Sequence, residues 1–546
     1  MIYRLIITGV FVYLSLGTGF RLNAQTNCYL IVPAAQNVVD GSTIPPGSTI
    51  CIAAGNRDYL LIRNIQGEAN NPVIIKNFNG IVNIQTDHYY GIKISGCNHV
   101  ILTGSGFTGA NYGFRITGVT NGVGVSIDDM SSYVEISQLE VGNTKFSGII
   151  AKTDPSCTNF SATREKFTMY DLNIHDCYLH DIGDEGFYIG SSKFTGQYLP
   201  GCDTTVLPHI IEGVSIYNNI IERTGWDGLQ VSSSTKDCYV YGNTIKFDSQ
   251  RETQDQMSGI LIGGGSQCDC YNNIITDGKG DGIDYFGSGN QKIFNNLIVR
   301  PGRTFQPANP NLMKHGMFIG TAVDQNNTTL LISHNTIIAP KSTGIRFFNS
   351  SSTQNRIINN LITEPGSLPL MGEHAYFSHN LSSGQYEFSH NLLSNNIAQV
   401  KFLNYSNGNF DLEAGSPAVN AAKPTELTFD INNNPRPHNQ LPDIGSFESQ
   451  DPYAATKESL LSPPHVLLYP NPVREFLFIE LPNTNVSLVN YQITNLIGHV
   501  LNSGQWQHSS SGEILKIDVT GLEPSVLILN VSDNKSLQFQ NLILKQ

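Results

Sequence analysis

Asparagine and glycine recur along the middle of this sequence with a fixed spacing. Asparagines stand before short branched apolar pairs at Asn219, Asn243, Asn273, Asn296, Asn335 and Asn360. Nine residues separate the asparagine from the next glycine in three repeats: Asn219 to Gly228, Asn273 to Gly282 and Asn335 to Gly344. The shortest step from such a glycine to the following asparagine, as from Gly259 to Asn273, is fourteen residues. One repeat is therefore nine plus fourteen, or 23 residues. A unit of this size cannot bury its own apolar face, so the repeat predicts a stacked solenoid.

The composition indicates that this solenoid is built from strands. The chain has 546 residues, more than one ordinary core holds, with 51 glycines and 14% charged residues. Short Ile, Val, Leu and Phe runs alternate with Asn, Ser, Thr and Gly, and no long segment has the apolar spacing of a helix. We therefore predict an all-β protein. The net charge of −13 disfavours a general surface for nucleic acid or anionic membranes.

The repeat resembles the right-handed parallel β-helix of the pectate-lyase type. The visible repeats cover residues 90 to 390, and strands such as "VIIKNFNG" extend the pattern toward the N-terminus. The resemblance implies that the asparagines are structural and hydrogen-bond from one coil to the next where the backbone turns. We predict a right-handed parallel β-helix over residues 25–450.

Three insertions interrupt the repeat, two of them at the same corner and the third after Gly186. The steps from Asn243 to Gly259 and from Asn296 to Gly316 are sixteen and twenty residues, seven and eleven more than the regular nine. The third insertion contains "SSKFTGQYLPGCDTTVLPH". Loops that rise beside a flat sheet form a groove, which is where a solenoid usually places its function.

Strand alternation predicts which side chains face this groove. The first and third residues after each glycine point to the core, and the residue between them points outward. The outward residues are Tyr188, Gln230, Leu261, Asp284, Phe318 and Arg346. The residues directly before the glycines are Glu185, Asp227, Ser258, Asp281, His315 and Thr343. Acids, a histidine, an arginine and aromatic rings therefore share one face.

This combination suits the cleavage of glycosidic bonds. Equivalent residues of stacked coils lie about 4.8 Å apart, so Asp281 would neighbour His315, and Asp227 would lie about 10 Å from Asp281. Carboxylate pairs cleave glycosidic bonds, and a carboxylate orients a neighbouring imidazole. The predicted catalytic residues are Asp227, Asp281, Asp284 and His315. The predicted substrate-binding residues are Glu185, Tyr188, Trp226, Gln230, Phe318 and Arg346. Because Asp-Gly is also a common turn dipeptide, Asp227 and Asp281 each have a purely structural alternative.

The order "WDGLQV", "DGIDYFG", "KHGMFIG" and "TGIRFF" is similar to the Asp, Asp, His-Gly and Arg stations of polygalacturonase-like hydrolases. The resemblance implies that the aspartates act as general acid and as base for water, that His315 assists and that Arg346 contacts the substrate. The sequence departs from that pattern, because it has no adjacent Asp-Asp pair and no lysine at the basic station. A glycoside hydrolase is the predicted function, with a polysaccharide as the partner.

Two other functions stay open. A polysaccharide lyase removes a proton beside a uronate carboxylate, for which the candidate bases are Lys314, His315 and Arg346. Its calcium ligands would be Glu185, Asp227 and Asp281, and no other cofactor or metal site is predicted. The second alternative is a non-catalytic solenoid that binds glycans or is structural.

The N-terminus has the layout of a cleavable export signal. Arg4 precedes an apolar run from Leu5 to Leu16, and "LNAQ" ends the predicted signal peptide of residues 1–24. A membrane anchor is the weaker interpretation because the run is shorter than the about 20 residues of a span, and we predict no transmembrane segment in the mature chain.

All nine cysteines follow the predicted signal and would meet an oxidising compartment, where an odd number leaves at least one unpaired. Cys28 and Cys51 are a predicted pair. Cys238 and Cys268 occupy one column on neighbouring coils, and they either form a disulfide or remain separate buried thiols.

The chain changes character after residue 405. "DLEAGSPAVNAA" and "DINNNPRPHNQLPDIGSFE" resemble the closing segment of secreted bacterial β-helix proteins, with Arg436 and Asp443 in its polar places. This segment is predicted to cover the last coil, whose backbone would otherwise be unpaired. A polar linker is predicted over residues 451–464.

Residues 465–546 are predicted to form a small β-sandwich. "YPNPV", "YQITNLIGHVL" and "NLILKQ" are similar, in this order, to the C-terminal sorting domain of bacterial type IX secretion. The resemblance implies that the signal peptide directs export across the inner membrane and that the type IX machinery carries the chain across the outer membrane, to the cell surface or the medium. An appended carbohydrate-binding sandwich is the weaker alternative, because Trp506 is the prominent aromatic residue of a tail otherwise short of them.

Overall fold

The structure is a computed structural model in which the chain divides into two compact units, Met1–Asp451 and Pro452–Gln546. The described residues of the first unit are 28–309, 312–321, 328–349, 351–366 and 375–450. Those of the second unit are 467–469, 473–480, 488–495, 499–507, 514–533 and 538–545. The predicted signal peptide and the predicted linker lie outside the described residues. Within the described ranges, no helix is both long enough and apolar enough to cross a membrane.

The first unit is a solenoid with three strand positions per coil, and its strands pair in parallel with those of the preceding and following coils. Two of the three positions join into one sheet of 23 strands: Leu30–Val32, Thr49–Arg57, Val73–Thr86, Asn98–Thr103, Phe114–Val119, Ser132–Ser137, Leu139–Thr144, Thr168–His175, Tyr178–Ile182, Ile210–Tyr217, Ile220–Thr224, Ser234–Tyr241, Thr244–Lys246, Cys268–Tyr271, Ile274–Thr276, Gln291–Phe294, Leu297–Val299, Leu330–Ser333, Thr336–Ile338, Asn355–Ile358, Leu361–Thr363, Tyr386–Ser389 and Leu392–Ser394.

The third position forms a separate parallel sheet of twelve strands, here named the groove sheet. Its strands are Val38–Asp40, Leu60–Arg63, Tyr90–Ser95, Val123–Asp128, Ile149–Ala151, Phe187–Ile189, Leu229–Val231, Ser258–Ile262, Asp281–Tyr285, Met317–Ile319, Ile345–Phe347 and Phe377–His379. The all-β prediction and the parallel solenoid are confirmed.

The asparagine ladder is present and runs inside the solenoid. The side-chain amide of each ladder residue donates to the side-chain oxygen of the next, from Asn219 through Asn360 to Asn391. Asn273, for example, donates to Asn296 Oδ1 at 3.0 Å and to the Val240 carbonyl at 2.9 Å. Asn272, directly before it, has a φ of 54°, a left-handed conformation that asparagine tolerates. The ladder therefore satisfies polar groups at the turn that each coil repeats.

The recurring glycine has a steric reason. A Cβ atom on Gly282 would lie 2.5 Å from Ile298 Cγ2 and from the Gly316 carbonyl oxygen. The same contact with an isoleucine recurs at Gly228, Gly259, Gly316 and Gly344. At these five positions the chain therefore passes too close to its own coil for a side chain.

Three disulfides brace the solenoid. The predicted Cys28–Cys51 pair is confirmed, and of the two alternatives for Cys238 and Cys268 the structure has the disulfide. A third, Cys157–Cys202, was not predicted, because neither residue belongs to the repeat. It ties the segment after Ile149–Ala151 to an antiparallel hairpin, Gln197–Leu199 with Thr204–Val206. The free thiols Cys97, Cys177 and Cys270 are buried.

The closing segment reaches further than predicted. After the short 3₁₀ turns Ile397–Gln399 and Tyr405–Asn407 and the hairpin Phe402–Asn404 with Asn409–Leu412, it runs along the side of the solenoid. Arg436 is 3% exposed, donates to Asn295 Oδ1 at 2.9 Å and pairs with Glu448 at 3.1 Å. Asp443 accepts from two main-chain N–H groups of the same segment. The closing segment was predicted to cover the last coil. This prediction was too narrow, because the contacts of the segment extend back to Asn272.

The second unit has two antiparallel sheets around one apolar core, as the sandwich prediction requires. One sheet contains Leu467–Tyr469, Phe476–Glu480 and Ile514–Asp518. The other contains Val489–Asn495, Val500–Trp506, Ser525–Asp533 and Gln538–Lys545. Trp506 is 9% exposed and belongs to the core. It therefore offers no open ring face for a sugar.

Candidate functional site

The predicted outward row is present on the groove sheet. Strand pairing places Tyr188, Gln230, Leu261, Asp284, Phe318 and Arg346 directly side by side in that order. The residues on either side of each, such as Ile283 and Tyr285, are fully buried in the core. The row is therefore fixed by alternation along each strand and by the stacking of coils.

Asp281 is the centre of a charged cluster at the start of its strand. Its Oδ2 accepts from Lys314 Nζ at 2.8 Å, and its Oδ1 accepts from the main-chain N–H of His315 at 2.5 Å. The side chains of Lys314 and Asp281 are 16% and 5% exposed. The predicted neighbours Asp281 and His315 are thus confirmed as neighbours, but the carboxylate meets the histidine main chain.

Asp284 lies beside this cluster and has the opposite electrostatic environment. Burial, and then the charge of Asp281, raises the pKa of Asp284 well above its usual range. The two carboxyl groups are close enough to share a hydrogen bond, while Asp284 Oδ1 is buried with no hydrogen-bond partner among the described residues. Two groups thus donate to the Asp281 carboxylate, the Lys314 amine and the His315 N–H, whereas burial favours the neutral form of Asp284.

The two carboxyl groups on the preceding coils are more deeply buried than the sequence suggested. Asp227 is 0% exposed, and its Oδ1 accepts from Ser258 Oγ at 2.8 Å. Burial raises the pKa of Asp227 to about 8. Glu185 is 3% exposed, accepts from Ser147 Oγ at 2.9 Å, and has its pKa raised by burial. The catalytic role of Asp227 and the substrate contact of Glu185 stay predictions, and both side chains are buried in this structure.

Aromatic rings surround the basic residue at the other end of the row. The Arg346 guanidinium lies 4.2 Å from the centre of the Phe348 ring and 5.5 Å from that of Phe318. Phe318 also packs edge-on against Phe286 and lies near the His315 ring, at 5.6 and 6.2 Å between centroids. These half-buried groups form the apolar wall beside the Asp281–Asp284 pair.

Two predicted substrate contacts are less accessible than expected. Gln230 points outward but is 1% exposed, and its amide lies 3.4 Å from Ser232 Oγ. Trp226 is half-buried at the corner before its strand and not in the outward row. The alternation of a strand sets the direction in which each side chain points, but the packing of neighbouring segments sets how much of the side chain is exposed to solvent.

Sequence reasoning gave too little weight to Lys314 and missed Asp248. Lys314 was considered as a base, yet burial opposes its charge while Asp281 and Asp284 raise its pKa above the ordinary value. Asp248 is 1% exposed and accepts from Ser249 Oγ and the Gly280 N–H, beneath the turn that leads to Asp281. Burial raises its pKa to about 6. Both residues lie in or beside insertions. The position of these insertions was the feature of the sequence that could have pointed to Lys314 and Asp248 as site residues.

The calcium ligands that the lyase alternative requires do not come together. Among the described residues, the acid and histidine groups whose ligand atoms lie within 4.8 Å of one another are Asp58, Asp87 and His88, on exposed coils near the N-terminus. Glu185, Asp227 and Asp281 form no such set.

Comparison with known families agrees with both units. Residues 210–410 match the model described as right handed beta helix region, and residues 467–545 match that of the secretion system C-terminal sorting domain. The chain is a right-handed parallel β-helix with a type IX sorting domain. This β-helix protein is exported to the cell surface or the extracellular space by type IX secretion, as predicted.

Solved structures similar to the β-helix protein include several that act on carbohydrates. Pectate lyase Pel9A is 11% identical with a TM-score of 0.40, covering 78% of this chain and 98% of its own. The GH136 lacto-N-biosidase from Eubacterium ramulus is 12% identical with a TM-score of 0.39 and 67% coverage of both chains. The mannuronan C-5 epimerase AlgE4 A-module from Azotobacter vinelandii is 15% identical with a TM-score of 0.32, covering 64% of this chain and 91% of its own. No curated protein matches this chain. These similarities are too low to assign a reaction.

Proposed function

We propose that this β-helix protein acts on a polysaccharide at the groove sheet and cleaves it by hydrolysis. The observation that carries the proposal is the position of a buried carboxyl group whose pKa is raised, Asp284, beside an ion-paired carboxylate, Asp281. Environments that push two carboxyl groups to opposite protonation states are typical of acid–base sites.

The arrangement assigns a role to each carboxyl group. Asp284 is the more exposed of the two, at 8% against 4% for Asp281, and it donates its proton to the glycosidic oxygen. Asp281 faces the positive charge that develops on the sugar ring as the bond breaks, and water then attacks this carbon while the ionised Asp284 takes the proton of the water. Because carboxyl groups that share a hydrogen bond cannot flank a sugar at several ångströms, both act from one side of the scissile bond.

Surrounding residues support this chemistry. Lys314 holds Asp281 in place through the 2.8 Å ion pair, and Phe318 with Arg346 supplies an aromatic and cationic wall for the chain. His315 is placed by its main-chain contact to Asp281 and assists from the same corner. Asp227 acts indirectly, through Ser258, which pairs in register with Asp281.

The lyase alternative has weaker support. It needs a base and a cation near the uronate carboxylate, but the raised pKa of Lys314 keeps this amine protonated, and the three expected calcium ligands do not converge. Arg346 remains a candidate base, and the product of the reaction separates the two classes.

The test is a reducing-end assay of the mature protein on a panel of plant and algal polysaccharides, with and without calcium. Asp284→Asn and Asp281→Asn should each lower kcat by about 10²-fold or more. Asp237→Asn, whose side chain is 61% exposed on another sheet, is the matched control and should leave kcat unchanged. Circular dichroism of each variant checks that it is folded.

The outcomes separate the candidate functions. Cleavage that both groove variants abolish, without an ultraviolet-absorbing unsaturated product, supports hydrolysis. An unsaturated product that requires calcium would replace hydrolysis with the lyase reaction. No cleavage by the folded protein on the whole panel would overturn the enzymatic proposal in favour of a binding or structural solenoid.

A further inference from the structure

A cleft of about 470 Å³ opens beside Tyr188, at the end of the outward row opposite Arg346. Its walls come from Lys152 and Asp154, directly after the strand Ile149–Ala151, and from the insertion that follows Phe187–Ile189. Lys193, Gln197 and Tyr198 of this insertion complete the lining. The cleft contains none of the proposed catalytic residues.

A disulfide and several hydrogen bonds tie the walls of the cleft together. The Cys157–Cys202 disulfide joins the two segments that face each other across it. Arg164 donates to the Phe194 carbonyl and stacks on the Phe194 ring at 4.1 Å. The other side of the insertion is tied to the next coil, because Ser233 Oγ donates to the Ser191 carbonyl at 2.6 Å. A prebuilt cleft loses little conformational freedom when a ligand binds.

The cleft has an excess of positive charge in a protein of net charge −13. Lys152 is neutralised by Asp154 at 2.9 Å and lies over the Tyr188 ring at 4.7 Å. Lys193 also lines the cleft, and no carboxylate pairs with it among the described residues. The main chain forms a tight turn here, since the Gly196 N–H donates to the Lys193 carbonyl at 3.0 Å. The lining therefore contains two lysines and one carboxylate among hydroxyl and amide groups.

The cleft lies on the line that a polysaccharide bound at Asp284 would follow. Tyr188, Gln230, Leu261 and Asp284 are consecutive in the outward row, so three strand spacings of about 4.8 Å, roughly 14 Å in all, separate Tyr188 from Asp284. We propose that the cleft is a distal subsite that binds an acidic sugar residue, one that bears a carboxylate or a sulfate ester. This inference rests on the proposed function for its polysaccharide, and it names the chemical class of that polysaccharide.

The experiment measures binding by titration calorimetry, with the Asp284→Asn variant of the mature protein so that no substrate is consumed. The probes are oligogalacturonate, sulfated galactan oligosaccharide and neutral cello-oligosaccharide of equal length. Lys193→Met should weaken binding of the acidic probe by about tenfold or more and leave the neutral probe unaffected, whereas Lys193→Arg should retain binding. Lys236→Met, which removes an exposed lysine from another sheet, should change nothing.

The preferred acidic probe tells whether a carboxylate or a sulfate is recognised, and higher salt should weaken its binding. Equal affinity for the neutral probe, or unchanged affinity in Lys193→Met, would overturn the proposed subsite. Binding that depends on Lys193 in a protein that cleaves nothing would instead overturn hydrolysis and leave the subsite standing.

Discussion

Replacing Asp227 with asparagine should stabilise the protein at neutral and alkaline pH. The carboxyl group is 0% exposed, and its Oδ2 has no hydrogen-bond partner among the described residues. Burial raises the pKa of Asp227 to about 8, against an ordinary value of 3.8. Since each pH unit corresponds to about 1.4 kcal/mol, ionising this group in the folded state opposes folding by roughly 6 kcal/mol as an upper bound.

The sign of the pH dependence follows from whether the folded or the unfolded chain keeps the proton of Asp227. Between pH 3.8 and about 8, the folded chain keeps a proton on Asp227 that the unfolded chain has released. The free energy of unfolding therefore falls as pH rises through this window. The asparagine of the variant does not titrate. Near pH 4 the variant is less stable than wild type by at most about 1 kcal/mol, because its hydrogen bond to Ser258 is altered. The advantage of the variant should grow steadily from pH 4 to pH 8.

The assay is the thermal unfolding midpoint of wild type and Asp227→Asn from pH 4.5 to 8.5. Asp237→Asn, on an exposed side chain, is the control and should follow the wild-type curve. The difference between the unfolding midpoints of Asp227→Asn and wild type should grow with pH. A difference that stays constant across this range, or that becomes smaller as pH rises, would refute the reasoning that Asp227 is buried as the neutral acid.

Two further predictions concern the ladder and the charged cluster. Asn273→Ala removes the side-chain donor to the Val240 carbonyl and the side-chain acceptor of the Asn243 amide, so it should lower the free energy of unfolding by about 2–4 kcal/mol in a denaturant titration. An unchanged midpoint would contradict a structural ladder. Lys314→Met leaves the Asp281 charge buried and unpaired, which should lower the free energy of unfolding by about 3–5 kcal/mol, and adding Asp281→Asn should recover much of this loss. If the double variant is no more stable than Lys314→Met alone, the ion pair does not carry the effect.

Periodic features of the molecule could be predicted from the sequence. The asparagine ladder, the glycine at the start of each groove strand and the row that contains Asp284 recur with the coil. A strand alternates its faces every residue, and each coil repeats the surroundings of the one below. The spacing of residues along the chain therefore determined their neighbours in space.

Tertiary structure decided the features that lie outside the repeat. The insertions differ in length from coil to coil. The spacing of residues along the chain therefore does not predict that Lys314 binds Asp281 or that Cys157 forms a disulfide with Cys202. The burial of Asp227 is also a tertiary feature. Its corner position follows from the alternation of the strand, but its complete loss of solvent contact depends on the packing between coils. The sequence by itself thus determined the solenoid, its groove sheet and its sorting domain, because these follow from local periodicity and compact motifs. Which carboxyl groups hold a proton was decided only by the folded structure, since desolvation and contacts between distant segments set their pKa values.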